Sequence, residues 1–279
     1  MKNKGAKNID LETLRQEYVI EKEIAERLRS AGKEQRRVLY RQLYDEFYQR
    51  VPAFAVGTRK SDSGSRGIIR QMRILKPFLK QDSVFMEVGP GSCALSFEVA
   101  KRVKTVYAVD VSEEIALRPD NPENFHLIIS NGIDIPLPEN SIDVAYSNQL
   151  MEHLHPEDAF DQLKDIHKAV APGGVYICIT PNRIYGPSDV SKYFDETATG
   201  LHLKEYTCRE LSELMIRAGF TRVQAMITTK NMRARLLVPV RFMKGIEDCI
   251  MQLWEKQRKR IVSKRKIKRI LNVKLVATK

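Results

Sequence analysis

The sequence has few cysteines, and none of them stands in a metal-binding or disulfide pattern. Four occur in 279 residues, and no two have the C-x-x-C spacing. The four are Cys93, Cys178, Cys208 and Cys249. Because they fall in four different predicted elements, the sequence predicts neither a disulfide framework nor a zinc site.

Long apolar runs are also absent. The first residues, MKNKGAKNIDLETLRQEY, lack the apolar region of a signal peptide. No uninterrupted apolar segment approaches the ~20 residues that cross a bilayer, so we expect a cytoplasmic protein. With 43% hydrophobic and 29% charged residues, the chain has the composition of a globular protein. Its length suits one large domain or a domain with an appendage.

Excess positive charge is missing from most of the chain, although the formal net charge is +12. From Lys230 onward there are 16 Lys or Arg against three acids, Glu247, Asp248 and Glu255. The preceding residues are therefore close to neutral. The basic character belongs to one segment.

The segment from Val84 to Val111 is predicted to form a strand, a glycine turn, a helix and a second strand. Acids stand near the carboxyl ends of the two strands, at Glu87 and Asp110, and the turn spans residues 89–92. In open α/β sheets, ligands bind outside these strand ends. A dinucleotide-binding fold has the same order, but Ala94 stands where its G-x-G-x-x-G turn has the third glycine.

This pattern resembles the E/D-x-G-x-G-x-G motif of class I S-adenosylmethionine (SAM) methyltransferases. Glu87, Gly89 and Gly91 match it, and Cys93 replaces the last glycine. The resemblance implies that the turn holds the methionine end of SAM and that Asp110 binds both ribose hydroxyls. The predicted cofactor-binding residues are Glu87, Gly89, Pro90, Gly91, Ser92, Asp110, Val111, Asn131, Gly132, Ser147 and Asn148.

The third predicted strand ends in residues that the resemblance places next to the adenine of SAM. Ser130-Asn131-Gly132 stands where family members commonly have Gly-Asp-Ala, whose Asp accepts a hydrogen bond from the adenine amino group. Asn131 can accept through its amide oxygen. Asp134 is an alternative acceptor, although it suits a turn equally well.

The segment from Ser147 to Leu154 resembles the "xxxLEHL" segment of the family. In quinone-biosynthesis O-methyltransferases a Glu-x-x-Glu-His arrangement there can hold a divalent metal, but Gln149 replaces the first acid here. Glu152 and His153 alone make a poor magnesium site, because Mg²⁺ prefers oxygen ligands in octahedral geometry. We therefore predict no metal. His153 is a candidate general base, with helix packing as the alternative.

Residues 180–187 and 200–207 also resemble segments of the quinone O-methyltransferases and of related enzymes found beside glycan-assembly enzymes. Since SAM carries an activated methyl group, catalysis needs in-line positioning and removal of the acceptor proton. His202 suits a base for a hydroxyl, and a loop-fixing hydrogen bond is an equal alternative. The predicted substrate-binding residues are Arg183, Tyr185, Glu205 and Tyr206.

Strands that alternate with helices imply a parallel sheet with right-handed crossovers. The resemblance implies an α/β, Rossmann-like, seven-stranded methyltransferase sheet with an antiparallel last strand, an N-terminal helical cap and a basic helical insertion. Residues 52–67, rich in Gly and Ser, predict a mobile loop. We divide the chain into cap and loop (1–80), SAM-binding core (81–229), basic helical insertion (230–270) and final core strand (271–279).

The basic segment adjoins an apolar stripe of Ile246, Ile250, Leu253 and Trp254. An amphipathic helix with a basic flank suits an anionic membrane surface, so residues 246–269 favour association with the inner face of a membrane. Nucleic acid is less favoured, because residues 256–269 contain no aromatic residue for base stacking. The third alternative is a solvated basic face that binds nothing specific.

No Asn/Asp-Pro-Pro-Tyr sequence follows the fourth predicted strand, which disfavours methylation of an exocyclic base nitrogen. We predict a SAM-dependent methyltransferase that acts on a hydroxyl of a small-molecule, lipid-linked or glycan acceptor. The alternatives are an RNA methyltransferase that uses the basic insertion and a non-catalytic partner protein with the SAM fold.

Overall fold

In the computed structural model, the described residues are 11–51, 64–112, 121–228 and 235–279. Their strands form one eight-stranded sheet in the order β3-β2-β1-β4-β5-β8-β6-β7. The strands are β1 (Val84–Val88), β2 (Thr105–Asp110), β3 (Phe125–Ile129), β4 (Ile142–Asn148), β5 (Val170–Thr180), β6 (Arg222–Thr228), β7 (Arg235–Pro239) and β8 (Val273–Thr278).

The first five strands are parallel neighbours, whereas β8 lies antiparallel between β5 and β6. The carboxyl ends of β1 to β5 therefore meet at one edge of the sheet. Central β1 is almost entirely buried because helices cover both faces, which agrees with a sequence that is apolar except for Glu87. The antiparallel last strand is as expected.

The predicted count of seven strands was one too low. Residues 235–239, assigned to the helical insertion, form β7 and pair antiparallel with β6. Leu236, Leu237 and Val238 give this short run its strand character, and Pro239 at its end suits an edge strand, since proline has no N–H to donate. The helical part of the insertion starts only after Pro239.

The helices of the described residues cover both faces of the sheet. They are α1 (Leu11–Ser30), α2 (Lys33–Arg50), α3 (Ser65–Leu75), α4 (Ala94–Ala100), α5 (Pro156–Ala169), α6 (Cys208–Arg217), α7 (Val240–Met251), α8 (Glu255–Val262) and α9 (Arg265–Leu271). A capping box begins α6, because Thr207 accepts from the N–H of Glu210 and Glu210 accepts from the N–H of Thr207. Of the predicted mobile loop, residues 52–63 lie outside the described residues, and Ser65 begins α3.

Helix α2 is fastened to α5 by a buried ion pair. Arg36, 2% exposed, donates from Nε and Nη2 to the two carboxylate oxygens of Asp158, at 2.5 and 2.9 Å. Tyr40 donates to the same carboxylate at 2.8 Å and accepts from the backbone N–H of His155. Such a pair fixes two elements strongly, because removing one partner leaves a buried charge uncompensated.

The predicted apolar stripe of α7 faces the protein core. Ile250 is buried, and Ile246 packs against the same hydrophobic core. An amphipathic pattern has this form whether its apolar face meets a core or a lipid surface, so the sequence could not separate the two. Trp254 is the exception, with 83% of its surface exposed. In the described part of the chain, no helix is both long and apolar enough to cross a membrane.

Candidate active site

A cavity of about 860 Å³ opens at the carboxyl ends of β1, β2 and β4, and this volume suits a bound small molecule or cofactor. It lies where the glycine turn was expected to bind its ligand. The predicted cofactor residues that line it are Glu87, Gly89, Pro90, Gly91, Ser92, Asp110, Val111, Gly132 and Asn148.

The glycine turn is shaped by backbone conformations that favour glycine. Gly89 has φ +68°, and a Cβ there would approach the side chain of Leu150 to 3.0 Å. Gly91 has φ +55° and no atom within 4 Å of its Cβ position, so its backbone borders open space that a ligand can enter. Cys93, where the family motif has its last glycine, adopts φ 54° and remains buried.

Glu87 is a buried acid at the end of β1. Ser96 donates to its Oε2 at 2.5 Å. Burial, assisted by the nearby charge of Asp110, raises the pKa of Glu87 to about 8. A cationic ligand group placed beside it would favour the carboxylate, which is the complement expected for the amino group of SAM.

Asp110 ends β2 on the cavity wall. Its Oδ1 accepts from the backbone N–H groups of Val111 and Ser112, at 2.7 and 3.3 Å. These bonds fix the orientation of the carboxylate next to the cavity. A fixed carboxylate can accept hydrogen bonds from the two hydroxyls of a ribose.

Two predicted cofactor residues do not line the cavity. The Oδ1 of Asn131 accepts from the backbone N–H groups of Ile133 and Asp134, and its Nδ2 donates to Asp134. Its amide oxygen is therefore used to close a turn. Ser147 is buried beneath the cavity floor, where its hydroxyl is 2.7 Å from that of Tyr176. Their direct roles in binding stay predictions.

His153 lines the cavity and His202 stands behind it, with the ring centroids 4.9 Å apart. The Nδ1 of His153 is 3.1 Å from the carbonyl oxygen of Leu201. Burial, together with the charge of His202, lowers the pKa of His153 to about 3. His202 does not line the cavity, and its Nδ1 is 2.7 Å from Oε1 of Glu205.

The pKa of His202 is shifted in the opposite direction. Burial opposes its charge, but the hydrogen bond to Glu205 and the charges of Glu152, Glu205 and Asp189 outweigh burial and raise its pKa. The two neighbouring imidazoles therefore have different protonation preferences. His153 is the neutral one.

Glu152 completes a buried cluster with the two histidines. One ligand atom from each of the three lies within 4.8 Å of the others, a spacing that could hold a metal ion. Thr180 donates to one oxygen of Glu152 at 2.8 Å. The raised pKa of His202 opposes metal binding, since a metal ligand must be a neutral imidazole. A reaction without a metal stays our prediction.

None of the four predicted substrate residues lines the cavity. Arg183 bonds to Glu210 at the surface, at 2.8 Å. Tyr185 donates to Asn272. Oε1 of Glu205 accepts from the backbone N–H of Ser188 and is also bonded to Nδ1 of His202. Tyr206 is buried. These side chains organise the loops behind the cavity wall, and substrate contact by them stays a prediction.

Part of the cavity wall comes from residues outside the predicted site. Tyr40, Tyr44, Asp45 and Gln49 reach it from α2, and the four-residue spacing of the two tyrosines is the sequence signal for a shared helix face. A further group lines it from other elements: Ile68, Gln71, Leu150 and Gln162.

Comparison with known proteins agrees with this geometry. Residues 86–178 match the family model described as a methyltransferase domain. A protein of Mycolicibacterium smegmatis, named as a SAM-dependent methyltransferase, is 35% identical over 91 residues, 32% of this chain and 33% of that protein. A protein of Mycobacterium tuberculosis with the same description is 29% identical over 140 residues, 50% of this chain and 48% of that protein.

These alignments span about a third to a half of the relatives' own lengths. The fold is also that of a SAM-dependent methyltransferase from Archaeoglobus fulgidus, with a TM-score of 0.52 and 20% identity over 79% of this chain and 97% of that one. The chain therefore carries a class I SAM-dependent methyltransferase domain with a Rossmann-like fold. SAM is the cofactor of this domain.

Proposed function

We propose that this protein transfers a methyl group from SAM to a hydroxyl of a small-molecule, lipid-linked or glycan acceptor, with His153 as the proton acceptor. The observation that carries the proposal is the position of His153 on the cavity wall and its bond to Leu201. A backbone carbonyl can only accept a hydrogen bond, so Nδ1 must carry the proton. The Nε2 atom then keeps its lone pair.

The lowered pKa keeps His153 neutral at physiological pH, so its lone pair is available. Such an imidazole is a weak base, but the proton to be removed becomes strongly acidic as the hydroxyl oxygen is methylated. SAM supplies a methyl group already activated on a sulfonium sulfur. His153 therefore needs only to receive the hydroxyl proton while the acceptor is held in line.

His202 acts by holding His153 in place. It packs edge-on against the His153 ring, while Glu205 and Glu152 compensate its charge. Tyr44 lies on another side of His153, with ring centroids 6.1 Å apart. These contacts restrict the ring to the orientation in which Nδ1 meets Leu201.

The acceptor class can be tested directly. Purified protein and SAM with a labelled methyl group are incubated with a cell extract, which is then separated into lipid, RNA, protein and small-molecule fractions. We expect label in the lipid or small-molecule fraction, in a methyl group bonded to oxygen rather than to nitrogen. Label confined to RNA would support the RNA methyltransferase alternative, and absence of label would support a non-catalytic partner.

We also propose that the protein works against an anionic membrane surface. The exposed Lys256, Lys264 and Lys266 lie on α8, α9 and the turn between them, and α8 contacts residues 183–185 next to the carboxyl end of β5. The basic helices thus lie near the carboxyl end of β5, at the edge of the sheet where we propose that the acceptor binds. Exposed apolar side chains lie nearby in sequence at Phe242, Met251 and Trp254, and these replace the inward-facing stripe as the candidate lipid contacts.

Vesicle co-sedimentation at ~150 mM salt tests this surface. Each basic residue near an anionic surface contributes about 1 kcal/mol to the binding free energy. We expect binding to anionic but not to neutral vesicles, and weaker binding by Trp254→Ala. Val19→Ala, at an exposed apolar position on α1, is the matched control. A gel shift with structured RNA in place of vesicle binding would instead favour nucleic acid as the partner.

A further inference from the structure

The segment that orients the proposed base has its backbone held by two buried acids. Glu21 of α1 accepts through Oε2 from the N–H of Leu201 at 3.2 Å. Asp189 accepts through Oδ2 from the N–H groups of Gly200 and His202, at 3.1 and 3.3 Å. Three consecutive backbone N–H groups are therefore bonded to two carboxyl groups.

The position of Gly200 leaves no room for a side chain beside these acids. A Cβ there would lie 2.4 Å from Oε2 of Glu21 and 2.8 Å from Oδ2 of Asp189. Both distances are too short for a non-bonded contact, so any other residue would displace the acids. Glycine at this position lets the two carboxyl groups reach the backbone.

Helix α1 also binds the carbonyl groups of the same segment. Arg29 donates from Nη1 to the carbonyl oxygen of Thr199 at 3.4 Å and from Nη2 to that of His202 at 3.2 Å. The carbonyl of Leu201 lies between these two in the chain, and its oxygen is 3.1 Å from Nδ1 of His153. The direction of this carbonyl is thus set by bonds on both sides of it.

One peptide group joins Asp189 to His153. Its carbonyl is that of Leu201, and its N–H is that of His202, which donates to Asp189. Because hydrogen bonds in series polarise one another, an acid at the N–H end makes the carbonyl a stronger acceptor for the Nδ1 proton. Asp189 therefore acts on this imidazole through a peptide group, as the aspartate of a Ser-His-Asp triad acts directly.

Burying these acids is costly. Burial raises the pKa of Glu21 to about 7, and the nearby charges of Asp189 and Glu17 act in the same direction. A loop closed by neutral side chains would not carry this cost. The cost indicates that the geometry of the segment matters for more than closing a loop.

We propose that Glu21 and Asp189 are positioning residues for the methyl transfer. They hold the Leu201 carbonyl so that the proton of His153 stays on Nδ1 and the lone pair stays on Nε2. The cap helix α1 thereby acts on the base from outside residues 86–178, which match the family model. This inference rests on the proposed role of His153 as proton acceptor.

The ring nitrogens of His153 report this effect directly. In protein with ¹⁵N-labelled histidine, chemical shifts distinguish the Nδ1–H from the Nε2–H tautomer, and the chain has only five histidines. The signals that disappear in His153→Gln are those of His153. We expect the Nδ1–H tautomer in the wild type and a mixture of tautomers in Glu21→Leu and Asp189→Asn. Calorimetric affinity for S-adenosylhomocysteine should stay unchanged.

The rate of methyl transfer from labelled SAM to the labelled fraction of the cell extract is the second measurement. It should fall by about tenfold to a hundredfold in the same two variants, the range that one hydrogen bond to a charged group gives. Glu21→Gln keeps an oxygen for the N–H of Leu201 and should restore the tautomer and most of the rate. Glu23→Leu, at an exposed acid of α1 that pairs with Arg50, is the matched control and should behave as wild type.

A wild-type His153 ring with its proton on Nε2 would overturn the proposal. An unchanged tautomer in folded Glu21→Leu and Asp189→Asn would do the same, and thermal denaturation establishes folding. Gly200→Ala retains both acids but displaces them, so it replaces either variant that does not fold.

The ring signals are recorded without a methyl acceptor, which separates this inference from the proposed function. Lost turnover in His153→Ala, with unchanged ring signals in the acid variants, would keep the proposed function and reject the inference. Full activity of His153→Ala would reject both.

Discussion

The cofactor end of the cavity, at the glycine turn, and the proposed acceptor end, at His153, differ in how their residues are brought together. At the cofactor end, Glu87, the glycine turn and Asp110 come from one continuous strand-turn-helix-strand unit. At the acceptor end, His153 is oriented by Leu201, His202 and Tyr44, which belong to distant parts of the chain. A local unit leaves a sequence motif, whereas an assembly of distant segments does not. The following experiments test whether the two ends also function separately.

The largest effect is expected from His153→Ala. If Nε2 receives the acceptor proton, turnover should fall by ~10²–10⁴, because that is the usual contribution of a positioned general base. Affinity for S-adenosylhomocysteine should change little, since the cofactor residues come from other segments. Turnover with saturating SAM and calorimetric affinity measure the two quantities.

His126→Ala is the matched control, because His126 is an exposed histidine on β3 outside the cavity. His202→Ala should lower turnover by less than His153→Ala and leave cofactor affinity unchanged. Full activity of His153→Ala would show that the base is supplied elsewhere. Loss of cofactor affinity in that variant would show that the two ends are not separate.

Asp110→Ala tests the opposite end. Loss of charge-assisted hydrogen bonds to the ribose should weaken S-adenosylhomocysteine binding by about 1.5–3 kcal/mol. Asp82→Ala, at an exposed position outside the cavity lining, should bind normally. Unchanged affinity in folded Asp110→Ala would remove Asp110 from the site, and binding of NADH would favour a dinucleotide site.

The dependence of stability on pH should also separate the two ends. Burial raises the pKa of Glu21, which accepts from the N–H of Leu201 near His202, to about 7, and that of Glu87 to about 8. A carboxyl group with a raised pKa stabilises the fold below its unfolded value near 4.5, and this contribution is lost as the pH rises through the folded value. Urea denaturation between pH 5 and pH 8 measures the loss.

Histidines with a lowered pKa make the free energy of unfolding rise with pH, which opposes the effect of these carboxyl groups. The effect of one carboxyl group is therefore isolated by comparing the free energy of unfolding of the wild type with that of the Gln variant. For Glu21→Gln the free-energy difference from wild type should change up to about pH 7. For Glu87→Gln it should continue to change to about pH 8. Stability curves of the variants that run parallel to that of the wild type would contradict the raised pKa values.

The smallest effect is expected from chelation. If Glu152, His153 and His202 work without a metal, excess EDTA should leave turnover unchanged. Turnover is measured before and after the EDTA treatment, and again after magnesium or zinc is added. Complete loss of turnover that a metal restores would show that the three side chains are ligands.

The cofactor end could be predicted because its chemistry depends on backbone conformation and nearest neighbours. The positive φ of Gly89 and Gly91 and the acids at the strand ends follow from the motif itself. Asn131 was assigned from the resemblance of residues 130–132 to the Gly-Asp-Ala of family members, but its amide oxygen accepts from the backbone N–H groups two and three residues later. Local hydrogen bonds of this kind compete with ligand contacts, and only coordinates reveal which prevails.

The acceptor end depends on tertiary packing that a sequence pattern does not contain. The bond between His153 and Leu201 joins residues 48 positions apart. Nothing around Glu21 distinguishes it from the other acids of α1 until its partner Leu201 is known. The extra strand β7 was missed for a related reason, since five residues beside a basic segment become a strand only when β6 offers them a partner.

The ion pair between Arg36 and Asp158 has a consequence for the opening of the protein. The same helix that it fastens contributes Tyr40 to the cavity and to the packing of Gly132. Helix α2 therefore cannot separate from α5 without dismantling a wall of the cofactor cavity. Cofactor binding and the local opening of α2 are therefore linked, and we expect a bound cofactor to slow amide hydrogen exchange in this helix, which holds no part of the glycine motif.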